Sequence, residues 1–312
     1  MSEGTPSTWP AYLGLLETGE LRRRVEHAVS LLRECRLCPR DCGANRLTDS
    51  MGFCRAGRLA AVASFGPHFG EESPLVGRGG SGTIFFAECN LRCIFCQNYD
   101  TSLLGQGTEL EPPEIAAMML DLQRRGCENV NLVTPTHVMP QILEALLLAA
   151  DNGLRLPIVW NSNGYETVSS LRVLEGIVDI YMPDFKFGDG QWAYEYCRAP
   201  DYPERAAAAI TEMHRQVGDL EIDGQGVARR GLLVRHLVMP NHVAGTPEVV
   251  RFLAGLNPRT FTNLMDQYRP CYGSVDDPII GRRPTREEVA EALSEARAAG
   301  LRGPHAARES QG

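Results

Sequence analysis

Apolar runs alternate with helical patterns over most of the chain. Each of six strand-like runs is followed by an amphipathic segment with the period of a helix. The strands are predicted at 83–88, 129–134, 157–161, 177–183, 232–238 and 260–265. The helices are predicted at 112–125, 138–151, 166–175, 204–217, 246–255 and 285–299. This alternation favours a parallel sheet covered by helices.

The number of β/α units indicates the architecture. Six units are fewer than the eight of a closed barrel, which usually needs about 250 residues. The sequence therefore predicts an α/β fold with an open, partial (β/α)6 barrel over 83–300. Before it we predict a helical extension at 1–34, then a four-Cys metal-binding segment and a Gly-rich linker at 35–82, with 66–82 as a loop. A flexible tail is predicted at 301–312.

Composition and charge narrow the class of partner. The 312 residues carry 31 Lys and Arg against 39 Asp and Glu, a net charge of −8, whereas nucleic-acid-binding surfaces are usually basic. No apolar run approaches the roughly 18 residues of a membrane span, and the N-terminus lacks the apolar stretch of a secretory signal. We therefore expect no nucleic acid, no membrane, and a cytoplasmic location where thiols stay reduced.

Seven of the ten cysteines form two groups. The first group is Cys35, Cys38, Cys42 and Cys54, and the second is Cys89, Cys93 and Cys96. In a reducing compartment such groups are typical of metal ligands rather than disulfides. Three thiols suit a 4Fe–4S cluster that leaves one iron open to a small molecule. Four thiols complete either a zinc site or an auxiliary 4Fe–4S cluster, and the spacing does not decide between them.

Polar residues follow the predicted strands at their carboxyl ends, where parallel α/β folds collect their sites. They are Thr134 and Thr136 after the second strand, Asn161, Ser162 and Asn163 after the third, Asp184 and Lys186 after the fourth, and Arg235 within the fifth. We expect them to lie near Cys89, which follows the first strand. The acidic pair Glu71–Glu72 is predicted to be solvated, although it flanks the cysteine loop.

The segment Cys89-Asn-Leu-Arg-Cys93-Ile-Phe-Cys96 resembles the Cys-x3-Cys-x-aromatic-Cys signature of the radical S-adenosylmethionine (SAM) superfamily. Further stretches, among them CRLCPRDCGANR, NLVTPTHV, SNGYE, MPDFK and LLVRHLVMP, resemble relatives of the pyruvate formate-lyase activating enzyme, and the resemblance covers about 33–300. It implies a 4Fe–4S cluster and S-adenosylmethionine as cofactors. It also implies reductive cleavage of that cofactor to a 5′-deoxyadenosyl radical, which abstracts hydrogen from a substrate.

The resemblance also implies roles for single residues. Phe95 would pack on the adenine, and Arg235 would pair with the methionyl carboxylate. Asn161, Ser162 and Asn163 stand where activating enzymes have Asp-Thr-Asn, while Met182, Asp184 and Lys186 match a stretch that meets the cofactor and a monovalent cation. Activating enzymes commonly end strand two in Gly-Gly-Glu, which holds the methionyl amine. Here that stretch is Thr134-Pro135-Thr136, so hydroxyls or carbonyls would have to replace the carboxylate.

The substrate remains open at this point. The resemblance is compatible with a glycyl-radical protein, which would make the chain an activase, and with a small metabolite. It implies a flavodoxin- or ferredoxin-type electron donor. A non-catalytic Fe–S electron carrier is a different class of function, but a carrier needs four cluster ligands and no Asp, Lys and Arg on the later strands. A tRNA-modifying enzyme is disfavoured by the acidic charge, and no single residue is assigned as the catalytic group.

Overall fold

The computed structural model describes residues 9–48 and 50–304. The strands are β1 (Ala60–His68), β2 (Ser81–Phe86), β3 (Thr108–Leu110), β4 (Val130–Val133), β5 (Ile158–Ser162), β6 (Ile180–Pro183), β7 (Glu221–Ile222), β8 (Ala228–Leu237) and β9 (Phe261–Met265). The helices are α1 (Tyr12–Glu17), α2 (Glu20–Ser30), α3 (Ser73–Val76), α4 (Tyr99–Ser102), α5 (Pro112–Arg124), α6 (Met139–Asp151), α7 (Val168–Val173), α8 (Gly190–Cys197), α9 (Tyr202–Val217), α10 (Thr246–Leu256) and α11 (Arg286–Ala298).

Six parallel strands form the centre of the molecule, in the order β2-β4-β5-β6-β8-β9. They are the six strands that the sequence predicts, so the α/β alternation is confirmed. Each is rich in apolar residues because helices cover the outer face of the sheet. In the register, Asn161 lies beside both Val133 and Met182, and Asp184 forms a bridge with Arg235. The carboxyl ends of neighbouring strands are thereby brought to one edge.

Three antiparallel strands were not predicted. β1 pairs with β2, β3 pairs with β1, and β7 pairs with β8, so the sheet is mixed. The prediction of a loop over 66–82 is wrong in part, because β1 extends to His68 and α3 forms at Ser73–Val76. Gly66 and Pro67 indicate a turn when read locally. They are tolerated in β1 because β3 pairs only with residues 60–62, which leaves this part of the strand at an edge.

The predicted helices are present, with boundaries shifted by a few residues. α5 begins with two prolines and ends before Gly126, and α11 begins with the capping box of Thr285 and Glu288. α8 is an addition to the six helices that the sequence predicts in this part of the chain. No helix in the described part of the chain combines the length and the apolar character that a membrane crossing needs.

The start of the predicted flexible tail packs against the sheet. Leu301 is buried, and Arg302 forms a bridge with Phe261 at the beginning of β9. Residues 305–312 of that tail lie outside the described residues, as do residues 1–8 of the predicted helical extension.

Candidate cofactor site

A cavity of about 260 Å³ opens at the carboxyl ends of the central strands. Its walls bring together eleven of the residues predicted from the sequence, which are Cys89, Cys93, Phe95, Cys96, Thr134, Asn161, Ser162, Asn163, Asp184, Lys186 and Arg235. Thiols form one side and the polar ends of β5, β6 and β8 form the other. The arrangement follows from the parallel register, which places successive strand ends side by side.

A charged network crosses the polar wall of the cavity. The Asp184 carboxylate accepts from Lys186 Nζ at 2.6 Å and from Arg235 Nε at 2.8 Å. Arg235 also donates from Nη2 to Asn161 Oδ1 at 2.7 Å. Burial tends to raise the pKa of Asp184, but the charges of Arg235 and Lys186 outweigh it and lower that pKa. Asp184 is therefore a carboxylate held between two cations.

Glu71 and Glu72 lie directly beneath this network. Glu71 Oε1 is 3.5 Å from Arg235 Nη1, and Glu71 Oε2 accepts from Asn131 Nδ2 at 3.0 Å. Both carboxylate oxygens of Glu72 accept from Asn263 Nδ2 at 2.9 Å, and burial raises the pKa of Glu72. The prediction that this acidic pair is solvated is wrong. The segment before α3 brings the pair into contact with the polar residues Asn131 of β4 and Asn263 of β9.

Two of the three thiols, Cys89 and Cys96, already receive hydrogen bonds at sulfur. Cys89 Sγ accepts from the Leu91 backbone N–H at 3.3 Å and from Asn163 Nδ2 at 3.4 Å. Cys96 Sγ accepts from the Ser102 hydroxyl at 3.1 Å. Burial raises the pKa of Cys89 and raises that of Cys96 to about 11, so the free thiols are neutral. Donors aimed at sulfur stabilise a metal-bound thiolate.

Phe95 and Thr134 both line the cavity. Phe95 is held by an aromatic group, with ring centroids 5.9 Å from Phe187 and 6.1 Å from Tyr268. Thr134 adopts a φ of 59°, which a β-branched residue rarely does, while its N–H bonds to the Asn161 carbonyl at 2.9 Å. Strain of this kind clusters at functional sites, and it turns the chain sharply at the end of β4.

Two residues predicted to contact the cofactor do not reach the cavity. The Thr136 hydroxyl donates to Glu166 Oε1 at 3.0 Å, so it faces a buried carboxylate. Met182 packs in a small apolar cluster inside the barrel with Val159 and Leu233. Met182 lies on the same face of the strand as Asp184 but two residues further from the carboxyl end, as Val159 and Leu233 do relative to Asn161 and Arg235, so its side chain packs deeper in the barrel. These two positions do not support the predicted contacts.

Glu166 was missed by the sequence reasoning. It is buried and accepts hydrogen bonds from Thr136, from Trp160 Nε1 at 2.8 Å and from Ser162 Oγ at 2.8 Å. Burial raises the pKa of Glu166, and the three donors oppose that effect. Its carboxylate holds the Ser162 side chain in place at the cavity wall. Only its position in SNGYE, directly after the polar end of β5, could have drawn attention to it.

The four thiols of the first group lie outside this cavity. Cys35, Cys38 and Cys54 are buried and Cys42 is exposed. Within residues 9–48 and 50–304, no three His, Cys, Asp or Glu side chains are arranged as around a bound metal ion. This holds for both cysteine groups, so ligand binding would require their side chains to close in.

The comparisons with known proteins identify the family. Residues 83–219 match the family model of the radical SAM superfamily. The chain is also 35% identical over 279 residues to "Uncharacterized protein MJ0674" of Methanocaldococcus jannaschii, across 86% of this chain and 76% of that protein. This chain belongs to the radical SAM superfamily.

Membership implies a 4Fe–4S cluster and S-adenosylmethionine. The residues present fit the cluster and S-adenosylmethionine, because three sulfurs, two of which accept hydrogen bonds, share one cavity with a buried Asp–Lys–Arg network.

Two solved structures have lower similarity to this radical SAM protein. A radical SAM methyltransferase from Sphaerobacter thermophilus is 16% identical, with a TM-score of 0.49, and the match covers 71% of this chain and 65% of that chain. Methylornithine synthase (PylB) is 13% identical, with a TM-score of 0.46, and the match covers 96% of this chain and 76% of that chain.

Two buried histidines predict how the stability of this radical SAM protein depends on pH. His137 Nε2 contacts the Ala87 carbonyl at 2.9 Å, and His236 contacts the Phe185 carbonyl and the Thr246 hydroxyl. Burial lowers the pKa of both to about 4. The unfolded chain therefore takes up these protons first as the pH falls below about 6.5. The free energy of unfolding should decrease between pH 7 and 5, by roughly 2 kcal/mol per histidine.

Urea unfolding at pH 7, 6 and 5 measures this loss. His236→Gln should flatten the pH dependence relative to the unsubstituted protein, while His27→Gln, at an exposed position, should leave it unchanged. The same slope in all three proteins would show that His236 does not carry the effect.

Proposed function

We propose that this chain reductively cleaves S-adenosylmethionine and abstracts hydrogen from a partner protein, in the manner of a glycyl-radical activase. The observation that carries the proposal is the single cavity lined by Cys89, Cys93 and Cys96 and by the Asp184–Lys186–Arg235 network. When bound together, the reduced cluster and S-adenosylmethionine supply a 5′-deoxyadenosyl radical, while methionine leaves and the radical takes hydrogen from the substrate.

The residues of this chain bind and orient the reactants. The three thiolates would hold three irons and leave the fourth open. The Arg235 guanidinium suits the methionyl carboxylate, since it offers a planar, bidentate set of donors. Asp184 supplies the buried negative charge for the methionyl amine, because the residue that follows β4 is Thr134 and the stretch after it contains no glutamate. Asp184 is also the residue that would face a monovalent cation, and Phe95 would pack on the adenine.

Exposed aromatic and apolar residues beside the cavity support a macromolecular substrate. Beside the cysteine loop, Tyr99 and Tyr272 stack with centroids 5.2 Å apart and are 36% and 49% exposed. Leu104, at 53% exposed, follows the same loop. Exposed apolar residues of this kind are typical of protein–protein contacts.

A small polar metabolite is the second candidate. Gln97, Asn98 and Gln267 line the cavity near its thiol wall, and Gln97 Nε2 donates to the Gln267 carbonyl at 3.2 Å. These amides offer donors and acceptors to a small substrate. In either case a one-electron donor of the flavodoxin or ferredoxin type has to reduce the cluster. We propose the cytoplasm as the location, because free thiols persist there.

Deuterium transfer into 5′-deoxyadenosine tests the substrate class. The reconstituted, reduced enzyme is incubated with a glycyl-radical protein made with deuterated glycine, and separately with deuterated small metabolites. We expect deuterium in 5′-deoxyadenosine from the protein substrate, because a protein can bind to the exposed Tyr99–Tyr272 pair beside the cavity. Mass spectrometry of the nucleoside gives the result.

Surface variants supply the control. Tyr99→Ala should reduce deuterium transfer from the protein about tenfold, while substrate-independent cleavage continues. Tyr194→Ala, at a tyrosine of α8 that is 51% exposed and is not part of the stacked pair, should change neither. Deuterium from a small metabolite alone would replace the protein substrate with the second candidate. No 5′-deoxyadenosine under any condition would refute both.

A further inference from the structure

Arg46 is a buried cation that pairs with no Asp or Glu among the described residues. Its side chain is 0% exposed, and its guanidinium donates to the Gly57 carbonyl at 3.0 and 3.2 Å and to the His137 carbonyl at 2.6 Å. Nearby, Arg58 pairs with a carboxylate, whereas no Asp or Glu in the described parts of the chain pairs with Arg46. Carbonyl oxygens satisfy its hydrogen bonds but not its charge. A buried charge is costly unless an opposite charge lies close by.

The thiols of the first cysteine group are the groups that could supply this charge. Arg46 Nη1 is 3.9 Å from Cys35 Sγ. Burial raises the pKa of Cys54, and the charge of Arg46 opposes that effect, which places Cys54 within reach of the same guanidinium. Four thiolates on a divalent zinc ion, or on an oxidised 4Fe–4S cluster, carry about two net negative charges. Such a centre would give Arg46 its missing counter-charge.

The local geometry of this group matches that of the radical SAM cysteines. The backbone N–H groups of Arg40 and Ala56, each two residues further along, lower the pKa of the Cys38 and Cys54 thiols against the effect of burial. The backbone N–H of Leu91 has the same place in the chain relative to Cys89 and donates to its sulfur at 3.3 Å. Turns of this type aim an N–H at sulfur and stabilise the thiolate that a metal requires.

The segment has a buried centre but no regular structure. Apart from Asp49, which is not described, residues 34–59 contain neither helix nor strand, yet Leu37 and Ala56 are buried together with three of the thiols. Short backbone bonds hold it, such as Cys35 N–H to the Ala44 carbonyl at 2.9 Å. Irregular segments of this length are uncommon in compact domains. A bound metal would supply the organising contacts that a helix or strand would otherwise give.

We propose that Cys35, Cys38, Cys42 and Cys54 bind a second metal centre as thiolates, with Arg46 as its buried counter-charge. The centre is either a zinc ion or a 4Fe–4S cluster, since both need four thiolates. Cys42 completes it from the exposed side by turning inward. The proposal concerns a site distinct from the cavity and does not depend on which substrate the enzyme uses.

The second centre packs directly against the cysteine loop of the radical SAM site. The Asn90 side chain lowers the pKa of the Cys38 thiol and accepts from Asn163 Nδ2 at 2.7 Å, and Asn163 in turn donates to Cys89. Arg40 anchors the segment by donating to the Asn90 carbonyl at 2.9 Å and to the Leu91 carbonyl at 3.1 Å. The segment therefore forms part of the wall behind that loop.

Metal analysis of full-length protein tests the proposal. The parent for the test carries Cys89→Ser, Cys93→Ser and Cys96→Ser, so that any remaining metal belongs to the second centre. We expect about one zinc per chain without sulfide, or about four irons with matching sulfide, and either result supports the proposal. A folded, metal-free protein with an unchanged melting temperature would overturn it. Because the radical SAM thiols are absent, failure of the proposed catalysis cannot be confused with this result.

Release of the metal to a chelator tests the counter-charge. In the same parent, Arg46→Gln should release metal about tenfold faster, as expected when a group that supports metal ligands is lost. Arg46→Lys keeps the charge and should release it at nearly the parent rate. The matched control is Arg58→Gln, because Arg58 already has a bidentate partner in Glu144, at 2.7 and 2.8 Å. Equal release rates in all four proteins would refute the role of Arg46.

Discussion

The Cys93→Ala variant is expected to produce no 5′-deoxyadenosine above background. With one of three thiolates missing, the cluster cannot be held in the cavity with an open iron, so cleavage of S-adenosylmethionine should fall by at least about 100-fold. The measurement is chromatographic detection of 5′-deoxyadenosine after anaerobic reconstitution and reduction with dithionite. Iron and sulfide contents of each preparation are determined alongside.

Two further variants make this result specific. Cys127→Ala removes another buried thiol, one that does not line the cavity, and should retain cleavage close to that of the unsubstituted enzyme. The Cys197 side chain contacts the Cys93 thiol, so Cys93→Ala/Cys197→Ala removes any replacement ligand. Cleavage that persists in this double variant would contradict the assignment of Cys93 as a cluster ligand.

The second large effect is expected for Asp184→Asn. This change keeps the shape of the side chain but removes the negative charge between Lys186 and Arg235, at 2.6 and 2.8 Å. The two cations then lose their shared partner, and the methionyl amine loses its carboxylate. Affinity for S-adenosylmethionine should fall about tenfold or more, which corresponds to roughly 1.4 kcal/mol. Breaking the buried pair should also lower the free energy of unfolding, by roughly 3–5 kcal/mol.

Equilibrium dialysis with the reconstituted protein separates binding from folding. The iron content should equal that of the unsubstituted protein, so that a change in affinity reports on Asp184 and not on the cluster. Asp223→Asn is the control, because Asp223 pairs with Arg229 at 2.6 Å away from the cavity. If Asp184→Asn lowers the stability but leaves the affinity unchanged, the carboxylate serves only as a structural partner of Lys186 and Arg235.

The parallel core was accessible from the sequence because its signal is local. Apolar runs such as 157–161 have the length of buried strands, and the helices between them carry their own start and stop residues. The added strands were not accessible in this way. β1 contains Gly66 and Pro67, and only its pairing with β2 makes it a strand. α8 lies in an aromatic-rich stretch that local patterns describe equally well as a loop.

The candidate site, too, could be predicted from the sequence only in part. The positions of Asn161, Asp184 and Arg235 after or within strands were sufficient to predict that they meet, because parallel strands end at one edge. Met182 shares the face of Asp184 but packs in an apolar cluster deeper in the barrel, and a hydrogen bond to Glu166 turns Thr136 away from the cavity. Neither effect can be predicted without the exact strand boundaries.

The sequence by itself was sufficient to predict that three thiols meet. Cys89, Cys93 and Cys96 lie within eight residues of one another, and all three line one cavity. Only the tertiary structure decided which charges compensate one another. Arg235 pairs with Asp184 and Glu71, whereas Arg46 lies beside Cys35 and pairs with no carboxylate of the described residues, because burial and distance in space are set by the packing of remote segments.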